Sequence, residues 1–399
     1  MTDTLLLRRR ISTYIFLFVP GFALASWVTR TPAIRDALSA TTAEMGLLLF
    51  GVSIGSMSGI LSSTGLVRRF GTRTVILNGL SLLIFGVALV ALGAGASSGP
   101  LVFFGLMCFG AGIGSAEVAI NIEGAEVERL SGAPVLVELH GFFSAGTLAG
   151  AVLGIALTTA DFPVTAHLAA VVAVSIPALA WAIRGIAPGF GKGTGVSESP
   201  DREAEAVETQ PLWKDVRLLM IAAILLSVAL AEGSATDWLP LLTVDGFDLD
   251  ESSGSLIYAG FAATMTLGRF GGRRLLERYG RVVILRGGAM LAAVGVAIVI
   301  FVDSPAVAGL AVMLWGLGIS LGFPLSIAAA SESGPDSVAR VGFVAVAGYI
   351  AFLVGPPLLG FLGEHFGLRM AMLVVLGVLT LTMVLAPAAG AGRVEADRA

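Results

Sequence analysis

RFGTRTVILNG, residues 69–79, and RYGRVVILRGG, residues 278–288, stand 209 positions apart and read closely alike. The same offset places Gly51 on Gly260 and Gly59 on Gly268. A repeat of this length describes a chain built from two copies of one unit. The residues around the two turns say what kind of unit it is. Of the 399 residues, 56% are hydrophobic and 13% charged, where a soluble domain carries about 25% charged. The mean hydropathy is +0.91. The 52 glycines suit helices that must approach closely in lipid.

A helix needs about 20 apolar residues to cross the hydrocarbon layer. Twelve such runs are present, near 11–29, 43–65, 74–95, 100–122, 134–157, 164–186, 216–242, 252–275, 282–302, 305–330, 338–363 and 368–386. The seventh contains Glu232 and Asp237, which make it the hardest to see by hydropathy. With both termini in the cytoplasm, 21 of the 24 Lys and Arg, Arg269 among them, fall on cytoplasmic segments. The outer side keeps Arg30, Arg35 and Arg369. This is the positive-inside pattern, and adding or removing one span would destroy it. The start, RRR followed by ISTYIFLFVPGFALAS, resembles a cleavable signal peptide. Cleavage would remove a span that the repeat requires, so the first span is expected to stay.

The only long polar stretch is 189–214, GFGKGTGVSESPDREAEAVETQPLWK. Its Gly, Ser, Pro and acidic content reads as a flexible cytoplasmic linker. The expected organisation is therefore all-α and polytopic: a six-helix bundle over 1–188, the linker over 189–214, and a second six-helix bundle over 215–399. The net charge of -4 gives no basis for binding nucleic acid, and the single Cys108 has no partner for a disulfide.

Six plus six spans, a long middle loop and a basic Gly turn after spans two and eight resemble the major facilitator superfamily. That family's turn runs roughly Gly-x-Leu-Ala-Asp-Arg-x-Gly-Arg-Arg. Here it is TGLVRRFGTR (64–73), with Arg69, Gly71 and Arg73, and GRRLLERYGR (272–281), with Glu277, Arg278 and Gly280. Arg68 replaces the acid in the first copy, whereas Glu277 keeps it in the second. The blocks ASWVTRTPAIRDAL, GSAEVAIN, HGFFSAGTLAG, AEGSATDWLPLL, GSLIYAGF, LWGLGISLGFPL and AFLVGPPLLGFLGEHFGLR look like the YbjJ-like proteins of the bacterial inner membrane. Glu117 and Asn121 also resemble the acid and amide of fucose-permease-like sugar/proton symporters. The resemblance implies a monomeric, multi-pass secondary transporter of the inner membrane. Its partners would be a small-molecule substrate, protons and the lipid bilayer.

Charges inside a span are costly and face a cavity or a partner. Glu117 lies about 25 Å from Pro100 at 1.5 Å per residue, in the inner third of the membrane, with Asn121 one turn on. Glu123 and Glu126 read as a solvated helix end, and Glu138 likewise as solvated. His140, about 9 Å into span five, reaches a similar depth to Glu117. The two are candidates for a proton relay, the plain alternative being a static pair. In span seven, Glu232 and Asp237 come about 24 and 32 Å from Val216, toward the outer side. Span one offers Trp27 and Arg30 at that height. Arg30 with Asp237 is the expected outer gate, snorkelling of Arg30 being the alternative.

Asn121, Trp27, Glu232, Trp238 and Phe323 are the candidate substrate contacts. Trp27 and Trp238 also suit interfacial anchoring. Pro240 with Gly233 and Ser234 would allow span seven to break locally. Gly316, Gly318, Gly322 and Pro324 are expected to bend span ten. Drug antiporters of the superfamily typically have a Gly-Pro element in span five; here GTLAGAVLG has no Pro. There is no Walker loop, the GKGTG at 191–195 being linker, and His140, His167 and His365 are too scattered for a metal. No enzyme activity, cofactor or metal is expected. The preferred reading is proton-coupled symport of a small polar solute. The alternatives are a drug or metabolite antiporter and a non-transporting sensor.

Overall fold

The computed structural model describes residues 3–131, 135–193 and 211–390. Most of the expected linker (194–210), Arg202, Pro134, Arg393, Arg398 and the side chains of His140 and Arg273 lie outside the described residues. The described elements are helical: α1 Asp3–Val28, α2 Thr31–Leu38, α3 Thr42–Phe70, α4 Thr72–Gly95, α5 Gly99–Ser131, α6 Val135–Thr159 and α7 Val164–Ala182. They continue with α8 Val216–Phe247, α9 Glu251–Phe301, α10 Pro305–Ile319, α11 Gly322–Ser331, α12 Ser337–Phe366, α13 Leu368–Ala371 and α14 Leu373–Leu385. One compact unit holds α1–α7 with Glu251–Leu256 at the start of α9. The other holds α8, the rest of α9 and α10–α14.

Among the described residues eleven helices are long and apolar enough to cross a membrane, and α8 is among them despite Glu232 and Asp237. The span that hydropathy loses is the eighth, the part of α9 before Gly280. Ser252, Ser253, Ser255, Thr264 and Thr266 dilute it, yet it is helical throughout. With it the chain has twelve spans.

The repeated turns share one backbone conformation, φ +83° and ψ 160° at Gly71 and φ +75° and ψ 164° at Gly280. A side chain at this φ would be strained, so glycine is required there. Within the first unit the tightest seam joins α3 and α5. A Cβ on Gly55 would run into the Met107 carbonyl oxygen, and one on Gly110 into that of Val52. Backbone pressed on backbone cannot yield by a rotamer change. Gly55→Ala is therefore expected to cost about 1–3 kcal/mol. Gly65→Ala, in the same helix with nothing within 4 Å, should be neutral or gain up to about 1 kcal/mol of helix propensity. Melting temperatures in detergent compare the two, and equal melting would contradict the seam.

The local break that the sequence allows in span seven is not taken up, and α8 runs through Pro240 without interruption. The hydroxyls of Ser234, Thr236 and Thr243 donate to the carbonyls four residues earlier. Span ten does bend: α10 ends at Ile319 and α11 begins at Gly322. Pro324 sits in the first turn of α11, where a missing N–H is tolerated. The short helix α2 was not anticipated, having too few residues for a span.

Asp215 caps α8, accepting from the Leu218 N–H at 3.0 Å, and it also accepts from Arg340 of α12. Burial pushes its carboxyl up, but those hydrogen bonds and the Arg340 charge outweigh this and hold it below the usual 3.8. A depressed carboxylate stabilises the fold above its unfolded pKa, and that stability is lost as pH falls through the folded value. Below about pH 4 wild type should therefore lose melting temperature faster than Asp215→Asn. Parallel acid titration curves would refute this.

Candidate functional site

In the first unit, α5 positions the intramembrane acid and amide. The helix has 33 residues and continues to Ser131 rather than stopping near 122, so Glu117 lies close to the centre of the helix. Glu117 is exposed, and Asn121 on the next turn is half-buried. The Asn121 Oδ1 is enclosed without a hydrogen-bond partner. His140, the expected relay partner, lies on α6 with its side chain outside the described residues.

Glu123 overturns the expectation of a solvated helix end. It is fully buried, accepting from Arg9 Nε at 2.9 Å and Nη2 at 2.5 Å, and from the Thr72 hydroxyl. Thr72 follows Gly71 in the first turn, and its N–H donates to the Phe190 carbonyl at 2.9 Å. The Arg9 guanidinium lies 5.1 Å from the Phe190 ring centre. The head of the supposed flexible linker is thus seated on the turn. Glu138 is likewise not free in water, since it accepts from Arg10 at 2.6 Å and from Tyr14. Glu126 fits the expectation better, pairing at the surface with Arg129.

The second turn has a comparable tie, with Arg281, the residue after Gly280, donating to Glu332 at 2.7 Å. Arg69 and Arg278 each lie over the aromatic residue that follows them, Phe70 and Tyr279. Arg73 is half-buried and Glu277 exposed.

Arg30 does not snorkel. It is 3% exposed and donates to Thr158 Oγ1 at 2.7 Å and to the Phe162 carbonyl, while its Nε has no partner. Glu251, grouped in the same unit, lies within its electrostatic reach. So does His167, fully buried with both ring nitrogens unpartnered; sequence reading passed it over as a scattered histidine. Trp27 is not an interfacial anchor. It is buried edge-on against Phe109 of α5, with ring centres 6.0 Å apart.

In the second unit, Glu232 stands at the midpoint of the 32-residue α8, deeper than a count to residue 242 suggests, because the helix runs on to Phe247. It forms an ion pair with Arg269 of α9, Nη2 to Oε1 at 2.9 Å. Arg269 is therefore not on a cytoplasmic loop. It precedes the Gly280 turn by about 17 Å of helix, and that spacing was the signal available in the sequence. Asp237 is half-buried. The buried Tyr258 of α9 lies in the field of both Asp237 and Glu232. Trp238 is fully enclosed, its indole N–H unpartnered, so it too is core and not an anchor. Phe323 is half-buried near Gly348 of α12. A groove of about 760 Å³ between α4 and α7, lined by Ala88, Leu92 and Ala169 among others, is almost wholly apolar and offers no comparable chemistry. Among the described residues no cluster could hold a metal.

Residues 135–341 match the family model described as Major Facilitator Superfamily. An uncharacterized MFS-type transporter of Yersinia pestis is 31% identical over 368 residues, 91% of each chain. The membrane protein MosC of Rhizobium meliloti is 27% identical, over 90% of this chain and 85% of its own. Among solved structures, a D-xylose-proton symporter superposes with a TM-score of 0.74 at 13% identity, covering 96% of this chain and 97% of that one. The nucleoside transporter NupG does so with 0.74 at 13%, covering 96% and 99%. The fucose:proton symporter FucP of E. coli gives 0.62 at 17%, covering 96% and 98%. At these identities the likeness to solved structures concerns the fold alone.

Proposed function

Because the chain belongs to the major facilitator superfamily, we propose that this multi-pass membrane transporter moves a small polar solute by alternating access and couples it to protons through Glu117. The observation that carries this reading is a carboxylate at the centre of α5 that is exposed rather than packed away. A charge in mid-span is costly against lipid and belongs beside a cavity or partner. His140 is its relay neighbour in this proposal, as an imidazole near a carboxylate tunes the proton's affinity.

Asn121, Trp27, Glu232, Trp238 and Phe323 are the proposed solute contacts, the two indole N–H groups having no partner within the protein. Arg30 and Asp237 are the proposed charged residues of the outer gate. The turn residues Arg69, Gly71, Arg73, Glu277, Arg278 and Gly280 serve the opposite end. The proposed bundles are 1–188 and 215–399, joined by 189–214, in a monomer of the bacterial inner membrane related to the YbjJ-like subgroup. Symport is supported by the relatives of this fold named as proton symporters.

Proteoliposomes with an imposed inward proton gradient test this. A sugar, nucleoside or organic acid should accumulate against its own gradient, and a protonophore should abolish the accumulation. Accumulation driven only by an outward proton gradient would replace symport by antiport. Solute movement indifferent to the protonophore would remove coupling altogether.

A further inference from the structure

Two arginine–glutamate contacts between helices of this protein, one buried and one partly exposed, differ in a way that points to different work. Arg9 and Glu123 form a closed pair with side-chain exposures of 9% and 0%. Two nitrogens of Arg9 are engaged, and the second carboxylate oxygen is met by Thr72. Nothing more can bind there. Glu232 and Arg269 meet through one nitrogen and one oxygen at 2.9 Å, with exposures of 19% and 36%. Among the described residues Arg269 makes no other hydrogen bond, although a guanidinium carries five N–H donors in a planar fork.

We infer that Arg269 anchors a carboxylate group of the transported solute, with Glu232 as the counter-ion that holds the guanidinium until the solute arrives. This deepens the transporter reading and rests on it. The pair lies at the middle of α8, where an exposed guanidinium turned to lipid would be strongly disfavoured; its open side must therefore face water. A one-point contact leaves the fork able to take a carboxylate through two parallel N–H···O bonds, the geometry for which arginine is suited. The solute then replaces a weaker contact rather than entering beside a bare charge, so the site is never an uncompensated cation.

The released Glu232 carboxylate needs a proton or water. The ionisable groups near it are Asp237 on its own helix and Tyr258 on α9. Of the helices packed on α8, α10, α11 and α14 carry no titratable residue. On α12, Arg340, Glu364 and His365 stand toward the ends, leaving Tyr349 nearer the middle, and Arg369 of α13 lies beyond the outer end.

Thermal unfolding of the purified full chain in detergent tests the inference with matched probes. D-gluconate is set against D-glucitol, L-lactate against propane-1,2-diol and succinate against butane-1,4-diol, with sodium chloride as the ionic-strength control. A carboxylate, and not its alcohol, should raise the melting temperature of wild type, since ligand binding stabilises the native state. Arg269→Gln should lose that shift. Glu232→Gln should keep it and reach half the shift at about tenfold lower concentration, the removed charge-assisted competitor being worth that much. A purely structural pair would give losses in both variants.

If Arg269→Gln does not fold, the doubly neutral Arg269→Gln/Glu232→Gln protein, which leaves no unpaired charge, should fold and show no carboxylate shift. A panel in which no carboxylate acts overturns the inference. An alcohol that stabilises wild type and Arg269→Gln equally also overturns it, while leaving the transporter reading intact.

Discussion

Glu117→Gln abolishes pH-driven accumulation of solute and leaves counterflow exchange intact; this is the largest functional effect expected of any single change. The amide keeps the shape and hydrogen-bonding size of the carboxylic acid but cannot take up or release a proton. Exchange of labelled for unlabelled solute needs only the loaded carrier to reorient. Net accumulation needs the empty and loaded forms to differ in protonation. The position near the centre of α5 and its exposure place the group where a proton can reach it without crossing a packed core. His140→Gln should give a milder loss, because a neighbour shifts a carboxyl pKa without replacing it. Uptake assays in proteoliposomes, with and without a pH gradient, separate the two activities. Undiminished gradient-driven uptake by Glu117→Gln would remove Glu117 from the coupling.

Glu123→Ala should destabilise the first unit by about 3–5 kcal/mol, the range for breaking a buried ion pair by removing one partner. The loss has three components. Arg9 is left as a buried cation, Thr72 loses its acceptor, and the tie joining α1, α5 and the Gly71 turn disappears. Thr72→Val should cost about 1 kcal/mol, one neutral hydrogen bond. Arg9→Met together with Glu123→Leu should recover most of the Glu123→Ala loss, since replacing both charges by apolar groups leaves no unpaired charge. Thermal unfolding in detergent measures all three. A Glu123→Ala protein that melts with wild type would show that Arg9 finds another partner or water.

The legibility of the two sites differs for a physical reason. Glu117 could be found from sequence because a carboxylate inside an apolar run is anomalous by itself. Glu123 could not be placed, because a charge at the end of an apolar run has two solutions, water or a buried partner. The partner here is 114 residues away. Arg269 was visible, but its company of nearby arginines made it read as cytoplasmic. Only the pairing of α8 with α9 shows it facing Glu232. Arg30 was expected at an outer gate with Asp237, or else snorkelling to the interface; it is buried, donating to Thr158 and to the Phe162 carbonyl.

What the sequence determined by itself was the number of spans, the internal repeat and the two glycine turns. Each of these is local: an apolar run must be a helix in lipid because its backbone groups have no other partner, and a positive φ is open only to glycine at low cost. What the tertiary structure alone decided was which face of each helix meets which neighbour. That choice made one glutamate a closed structural tie and another a half-open site. Hydropathy records how far along a helix a charge lies, and the azimuth that selects its partner is set by the packing of the helices around it.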